Sequence, residues 1–389
     1  MIQRSVPLVM ALLCAAIGQP ASAELKVGFT APFSGPAGAI GQDQYDGFML
    51  AIGLRQGKLG GQPVTVIRED DQVKPEVGLQ AARKLIDKDH VDALVGLGYT
   101  NVLMAMLPKI TESGIVAIAT NAGPQALSGA SCKPNLFSVT WQNEGPSEAM
   151  GAYAQQKNYG NVYLIAPNYQ AGKEMLAGFK RYYKGKIADE VYAPLNQADY
   201  SAEITQLQAN KPDALFVFLP GGMGINFVKQ MRQAGLLGKL PVLSVFTIDG
   251  TTLPALKTQA EGIVAGAMWD AALDNPQSNA FEQAFQDKYK RAASLYAAAG
   301  FDAANLLDTA VTDLGGRVQD RAALARAVKA AGATFKSVRG PFQFNNNQMP
   351  IQDYHAFEVV RKGNDAAMQL VGTPVRALKD AYHQQCPLK

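Results

Sequence analysis

The chain has 389 residues, of which 48% are hydrophobic and 18% charged, with a formal net charge of +3 at neutral pH. That is enough apolar material for one large core or two, and it excludes an intrinsically disordered chain. No lysine or arginine run supplies the basic stripe that nucleic-acid binding needs, so no nucleic-acid partner is expected.

Met1 to Arg4 carry a small positive charge, Val6 to Ile17 form an apolar run, and Ala21-Ser22-Ala23 gives a small-x-small cleavage site. This is the layout of a secretory signal peptide cleaved after Ala23. The apolar run falls short of the ~20 residues that span a bilayer. Cys14 raises a lipoprotein reading, but Ala11-Leu12-Leu13 lacks the small residues expected before a lipidated cysteine. Cleavage removes Cys14 and leaves Cys132 and Cys386. An even count in an oxidising compartment suggests a disulfide, with two free thiols as the alternative.

The mature chain opens with a strand at Leu25–Thr30, a Pro/Gly/Ser loop over 32–41 and a helix over about 42–55. Val64–Arg68 reads as a strand. Glu76–Lys88 has apolar residues at helical spacing, and Val91–Leu97 is a continuous apolar run, as in a strand buried on both faces. Strands follow at 115–119 and 136–140, then a helix at 147–156. Strands at 161–165, 188–192, 214–219 and 241–245 alternate with helices at 172–183, 201–209 and 225–234. Long helices at 278–290, 296–312 and 320–331 precede an antiparallel pair, 342–344 with 355–360. The expected fold class is therefore α/β, with two lobes, each a mainly parallel sheet flanked by helices.

Open parallel sheets bind ligands beyond the carboxyl ends of their strands, where helices begin. That rule selects Phe33-Ser34-Gly35, Gly98-Tyr99-Thr100-Asn101, Asn121-Ala122-Gly123, Asn168-Tyr169, Pro220-Gly221-Gly222 and Phe246-Thr247. Helix N-termini at such places offer free N–H groups to a carboxylate.

Catalytic and cofactor signatures are missing. His90, His355 and His383 form no HxxxH or HxH pair, so neither a metal site nor a histidine-based triad is supported. Ser34 is not in a G-x-S-x-G elbow. Gly96-Leu97-Gly98 is followed by Asn101 where a dinucleotide fingerprint has glycine, and Gly221-Gly222-Met223-Gly224 lacks the Lys-Ser/Thr of a phosphate loop. Asp70-Asp71 reads as a cap or solvated turn. No cofactor, no metal and no enzymatic activity are expected.

The segment Val27-Gly28-Phe29-Thr30-Ala31-Pro32-Phe33-Ser34-Gly35-Pro36 is followed by Gly41, Gly47 and Ile67-Arg68-Glu69-Asp70-Asp71. Further on stand Val95-Gly96, Ile115-Val116-Ala117-Ile118, Lys211-Pro212-Asp213-Ala214 and Ala299-Gly300-Phe301-Asp302-Ala303-Ala304. In order and spacing over the mature chain these pieces resemble the periplasmic solute-binding proteins of ABC importers, of the branched-chain amino acid-binding type. The resemblance implies a type I two-lobed fold with three hinge crossovers, near 140–145, 268–272 and 345–352. It places residues 24–142 and 272–347 in the N-terminal lobe, and 143–271 and 348–389 in the other. It also implies an inner-membrane permease partner, a periplasmic location and a monomer by default.

The same resemblance carries ligand contacts onto Tyr99, Thr100 and Asn101, onto Asn121, Ala122 and Gly123, and onto Tyr169, Gly222, Phe246, Thr247 and Tyr296, with Phe33 from the first strand-end loop. Tyr169 and Tyr296 read equally well as packed core tyrosines. Amino-acid binders of this type present an acid to the ligand ammonium near the place of Phe246 and Thr247, and neither residue can pair with a cation. A buried ammonium without a partner is costly. The expected ligand is therefore a small carboxylate with a flat apolar body, an aromatic acid of the benzoate or phenylpropanoid kind. A branched-chain amino acid is the alternative, with Asp249 or Asp302 as the acid. An enzyme and a ligand-sensing receptor domain are the rival classes.

Overall fold

The computed structural model describes residues 24–388. The signal-peptide reading, with Cys14 and the cleavage after Ala23, lies outside the described residues.

The first lobe runs β1 (Leu25–Ala31), α1 (Gly38–Leu54), β2 (Lys58–Leu59), β3 (Gln62–Asp70), α2 (Pro75–Arg83), β4 (Ala93–Gly96), α3 (Thr100–Ser113), β5 (Val116–Ala119), α4 (Gln125–Ser128) and β6 (Leu136–Ser138). The sheet order is β2-β3-β1-β4-β5-β6, parallel throughout except for the short β2–β3 hairpin. Then come α5 (Glu144–Gln156), β7 (Asn161–Pro167), α6 (Gln170–Tyr182), β8 (Lys186–Ala193), α7 (Ser201–Asn210), β9 (Ala214–Val217), α8 (Gly222–Gln233), β10 (Val242–Ser244), α9 (Leu253–Leu256) and β11 (Val264–Ala267). The chain ends with α10 (Pro276–Tyr289), α11 (Leu295–Asp313), α12 (Arg321–Ala331), β12 (Gln343–Phe344), β13 (Pro350–Lys362) and β14 (Asp365–Leu378). The second sheet is ordered β12-β13-β11-β10-β9-β7-β8, with β14 paired to β13. The two mainly parallel sheets with helices on both faces are the expected fold class.

Strands β4, β5 and β9 are buried along their whole length, which is why they read as unbroken apolar runs. The first core joins Leu25, Val27 and Phe29 to Ala303, Leu306 and Leu307 of α11, so the late helix packs on the first sheet. Helices α1 and α11 cross closely because glycines meet backbone there. A Cβ on Gly47 would lie 1.9 Å from the Ala297 carbonyl oxygen, and one on Gly300 1.9 Å from that of Gln44.

Two element readings need correction. Residues 343–344 pair with 350–351, not with 355–360; the latter lie inside β13, between β11 and the unanticipated β14. Helix α3 was also missed. Its Val102, Leu103, Met106 and Ile110 are fully buried at helical spacing, and Pro108 is accommodated inside it.

The chain passes between the sheets three times. Arg339 ties two of these passages together. It pairs with buried Asp302 at 3.1 Å and donates to the carbonyls of Val139 and Thr140 and to Gln352 Oε1. Cys132 and Cys386 form a disulfide. The tail beyond β14, expected with the second lobe, thus returns to the first. On the way Tyr382 donates to Glu144 at 2.8 Å.

Candidate ligand-binding site

The carboxyl ends of the two sets of parallel strands face one another, and the loops leaving them wall a narrow cavity. On the first lobe, β4 ends in Gly96 and Leu97, both in left-handed backbone (φ 104° and 59°). This turn brings Tyr99 to the N-cap of α3 and Thr100 to its first residue. Asn121 and Ala122 follow β5, and Trp141 and Asn143 follow β6. The opposite wall is Tyr169 after β7, Met175 one turn into α6, Phe218 after β9 and Phe246 after β10. Tyr296, at the start of α11, closes one end. The space between these walls, counted out to solvent, is ≈ 340 Å³. The site is a slit and not a bowl.

Aromatic rings define the slit. Trp141 and Phe246 lie 4.5 Å apart, and Phe246 lies 5.9 Å from Phe218 and 6.4 Å from Tyr296. Tyr169 is 6.3 Å from both Phe218 and Tyr99. Of these, the Trp141–Phe246, Tyr99–Tyr169 and Phe246–Tyr296 contacts join the two walls, while Phe218 packs on Tyr169 and Phe246 within one of them. Phe246 holds φ 54°, a conformation that costs a bulky residue roughly 1–3 kcal/mol and tends to occur where function demands it.

The lining is uncharged: among the described residues no Asp, Glu, Lys or Arg faces the cavity. Burial, the largest cause, raises the phenols of Tyr99, Tyr169 and Tyr296, and neighbouring acids or phenols push them further. All three are neutral hydroxyls at physiological pH. Asp249, the suspected ammonium partner, lies behind Tyr296 and not in the wall. Its Oδ1 caps the following turn through Thr251 and Thr252. The Tyr296 hydroxyl approaches its carboxylate, but Oδ2 makes no well-formed hydrogen bond. Burial raises its pKa. Asp302 is taken up by Arg339, Ser337 and Val338 at the hinge.

Of the residues singled out from sequence, Tyr99, Thr100, Asn121, Ala122, Tyr169, Phe246 and Tyr296 meet at this cavity. Five others stand outside its wall. Phe33 packs on Phe29 and Tyr45 beneath the Arg68 guanidinium, 3.9 Å from its ring centre. Asn101 turns back to the Val73 carbonyl at 3.2 Å. Gly123 lies behind the wall, where a Cβ would sit 1.9 Å from the Trp141 carbonyl oxygen. Gly222 faces Pro36, where a Cβ on it would lie 3.1 Å from the Pro36 side chain. Thr247 points into the second lobe and accepts from the Leu219 amide at 2.8 Å. Trp141, Asn143, Phe218 and Met175 were not singled out. The strand-end rule, applied to β6, finds Trp141 and Asn143. Phe218 was hidden because strand β9 was drawn two residues too long.

Two facing lobes with an uncharged aromatic slit between their strand ends are the geometry of a ligand-binding cleft, and no metal-ligand cluster occurs among the described residues. The periplasmic binding protein family matches residues 24–364, and the chain belongs to it. It is 25% identical to the Leu/Ile/Val-binding protein homolog 6 of Brucella melitensis, over 88% of both chains. The solute-binding protein of an R. palustris ABC transporter, solved in complex with benzoate, superposes with a TM-score of 0.88 at 29% identity, covering 94% of this chain and 100% of its own. A solute-binding protein from Rhodopseudomonas palustris BisB5, in complex with 3,4-dihydroxybenzoic acid, gives 0.85 at 25% identity, covering 92% and 99%. No helix among the described residues is long and apolar enough to cross a membrane.

Proposed function

We propose that this protein is the periplasmic substrate-binding component of an ABC importer, and that it closes on a small aromatic carboxylate without transforming it. One observation carries the ligand class: the cavity is a slit between aromatic faces with no charged side chain in its wall. A benzoate-sized ring would lie against Trp141, Phe246 and Tyr169, with the lobes parting to admit it and reclosing around it. Its carboxylate would meet the N-terminus of α3, where Thr100 offers a hydroxyl and the first-turn amides point outward. An amino acid would bring an ammonium to a wall with no anion, a poor exchange for its hydration. The benzoate and dihydroxybenzoate complexes of the two Rhodopseudomonas proteins support the same reading. Delivery would be to an inner-membrane permease that reads the closed form, from a monomer in the periplasm.

The second reading, a branched-chain amino acid, rests on the names of the Brucella relatives and on buried Asp249, whose Oδ2 makes no well-formed hydrogen bond. A thermal-shift screen of the mature protein against aromatic acids and the twenty amino acids separates the two, because a ligand that binds only the native state raises Tm. Shifts with aromatic carboxylates alone are expected. A shift with leucine, isoleucine or valine and none with aromatic acids would reverse the choice.

A further inference from the structure

Asn143, in the first passage between the lobes, is held from three sides. Its Oδ1 accepts from the Gly123 amide at 3.0 Å. That contact places its Nδ2 on the other side, where it donates to Glu174 Oε2 at 2.7 Å and to Thr100 Oγ1 at 3.0 Å. Both amide hydrogens are thereby used. Glu174 sits on α6 of the second lobe, 5% exposed. Its other oxygen accepts from Gln170 at 2.8 Å, and the Gln125 amide of the first lobe also faces it.

The direction of these bonds has a chemical result. Thr100 Oγ1 is an acceptor towards Asn143, so its own hydrogen must point elsewhere. Among the described residues it meets no acceptor, and Thr100 lines the cavity. We infer that Glu174 is a positioning residue for ligand recognition: acting through Asn143, it turns the Thr100 hydroxyl hydrogen into the slit, towards a ligand carboxylate. This inference rests on the aromatic-carboxylate reading above. The three partners come from the first lobe, the crossover and the second lobe, so Glu174 completes the set from across the cleft. Glu174 touches no ligand; its charge reaches the site as the orientation of one hydroxyl.

The test is a double-mutant cycle on the whole mature protein, titrated calorimetrically with benzoate and with 3-phenylpropanoate. Thr100→Val removes the hydroxyl and should weaken binding about tenfold or more. Glu174→Met keeps the volume, removes the acceptor and should weaken it about three- to tenfold. The double variant should be no weaker than Thr100→Val within about a factor of two, because the second change has nothing left to orient. Losses that multiply, or an unchanged affinity in Glu174→Met, would overturn the relay; a role confined to packing α6 gives multiplication. If Glu174→Met lacks a cooperative thermal transition, Glu174→Ala is carried through the same cycle and judged in the same way. Normal wild-type binding with multiplied losses defeats the relay alone. A wild type that takes up neither acid defeats the aromatic-acid reading, and the relay with it.

Discussion

Tyr99, Phe246 and Trp141 do the same physical work: each contributes an aromatic ring to the slit, where ring contacts contribute about 0.5–1.5 kcal/mol beyond buried area. Truncating Tyr99 or Phe246 to alanine should therefore cost about 1–3 kcal/mol of aromatic-acid affinity by calorimetry. An unchanged affinity would move that ring out of the site. Phe246 carries a second consequence. Its φ of 54° favours glycine, so Phe246→Gly should relieve backbone strain while abolishing the stacking face, lowering affinity more than it lowers Tm. The strand-end rule located Tyr99, Thr100, Asn121 and Phe246 from sequence, because a βα turn advertises itself in the apolar run that precedes it. The rule could not say which way a side chain points. Asn101 follows Thr100 directly in the chain, yet it turns to Val73 because α3 has already begun and successive residues diverge by about 100°.

At the scale of elements, glycines are placed where backbones meet. Gly123 packs directly against the Trp141 backbone, leaving no room for a side chain. Gly123→Ala should push a methyl into the Trp141 carbonyl and lower Tm in the absence of any ligand. A variant with normal Tm and weakened binding would instead return Gly123 to the site. The rhythm of strands and helices through residue 331 was largely legible, because buried parallel strands are compact apolar runs and the helices between them are amphipathic. The C-terminal hairpin was not. Strand β14 is mostly half-buried or exposed, and it carries Gly372 and Pro374 in its interior. Such a strand lacks the unbroken apolar signature, and its register is irregular besides. Helix α3 differs: it accommodates Pro108 in its interior, and its buried face, Val102, Leu103, Met106 and Ile110, holds it in place.

For the whole molecule, the tail is a strap across the hinge. The Cys132–Cys386 bridge spans 254 residues of sequence, and closing so long a loop is worth about 5.5 kcal/mol in the chain-entropy model. Reduction should lower Tm; an unchanged Tm would remove the strap from the stability account. Beneath the strap, Arg181 pairs with both Glu144 and Glu148. Burial, opposed by Arg181, lifts Glu148 to about 7. Asp43, Asp71 and Asp270 are each lifted by burial to about 6. Their charged forms are the penalised ones, so the penalty is full above those values and is relieved as pH falls towards their ordinary range. His355, lowered by burial, acts in the opposite sense as pH falls through 6.5. On balance Tm should rise between about pH 8 and about pH 5.5, and Glu148→Gln should flatten the upper part of that slope. A Tm that falls on acidification over this window would contradict the assignment. The central proposal is that the slit takes an aromatic carboxylate. Calorimetric titration of the mature protein with benzoate, beside leucine at the same concentrations, tests it directly. Saturable one-to-one heat with benzoate and none with leucine is the expected result; the reverse pattern would contradict the account.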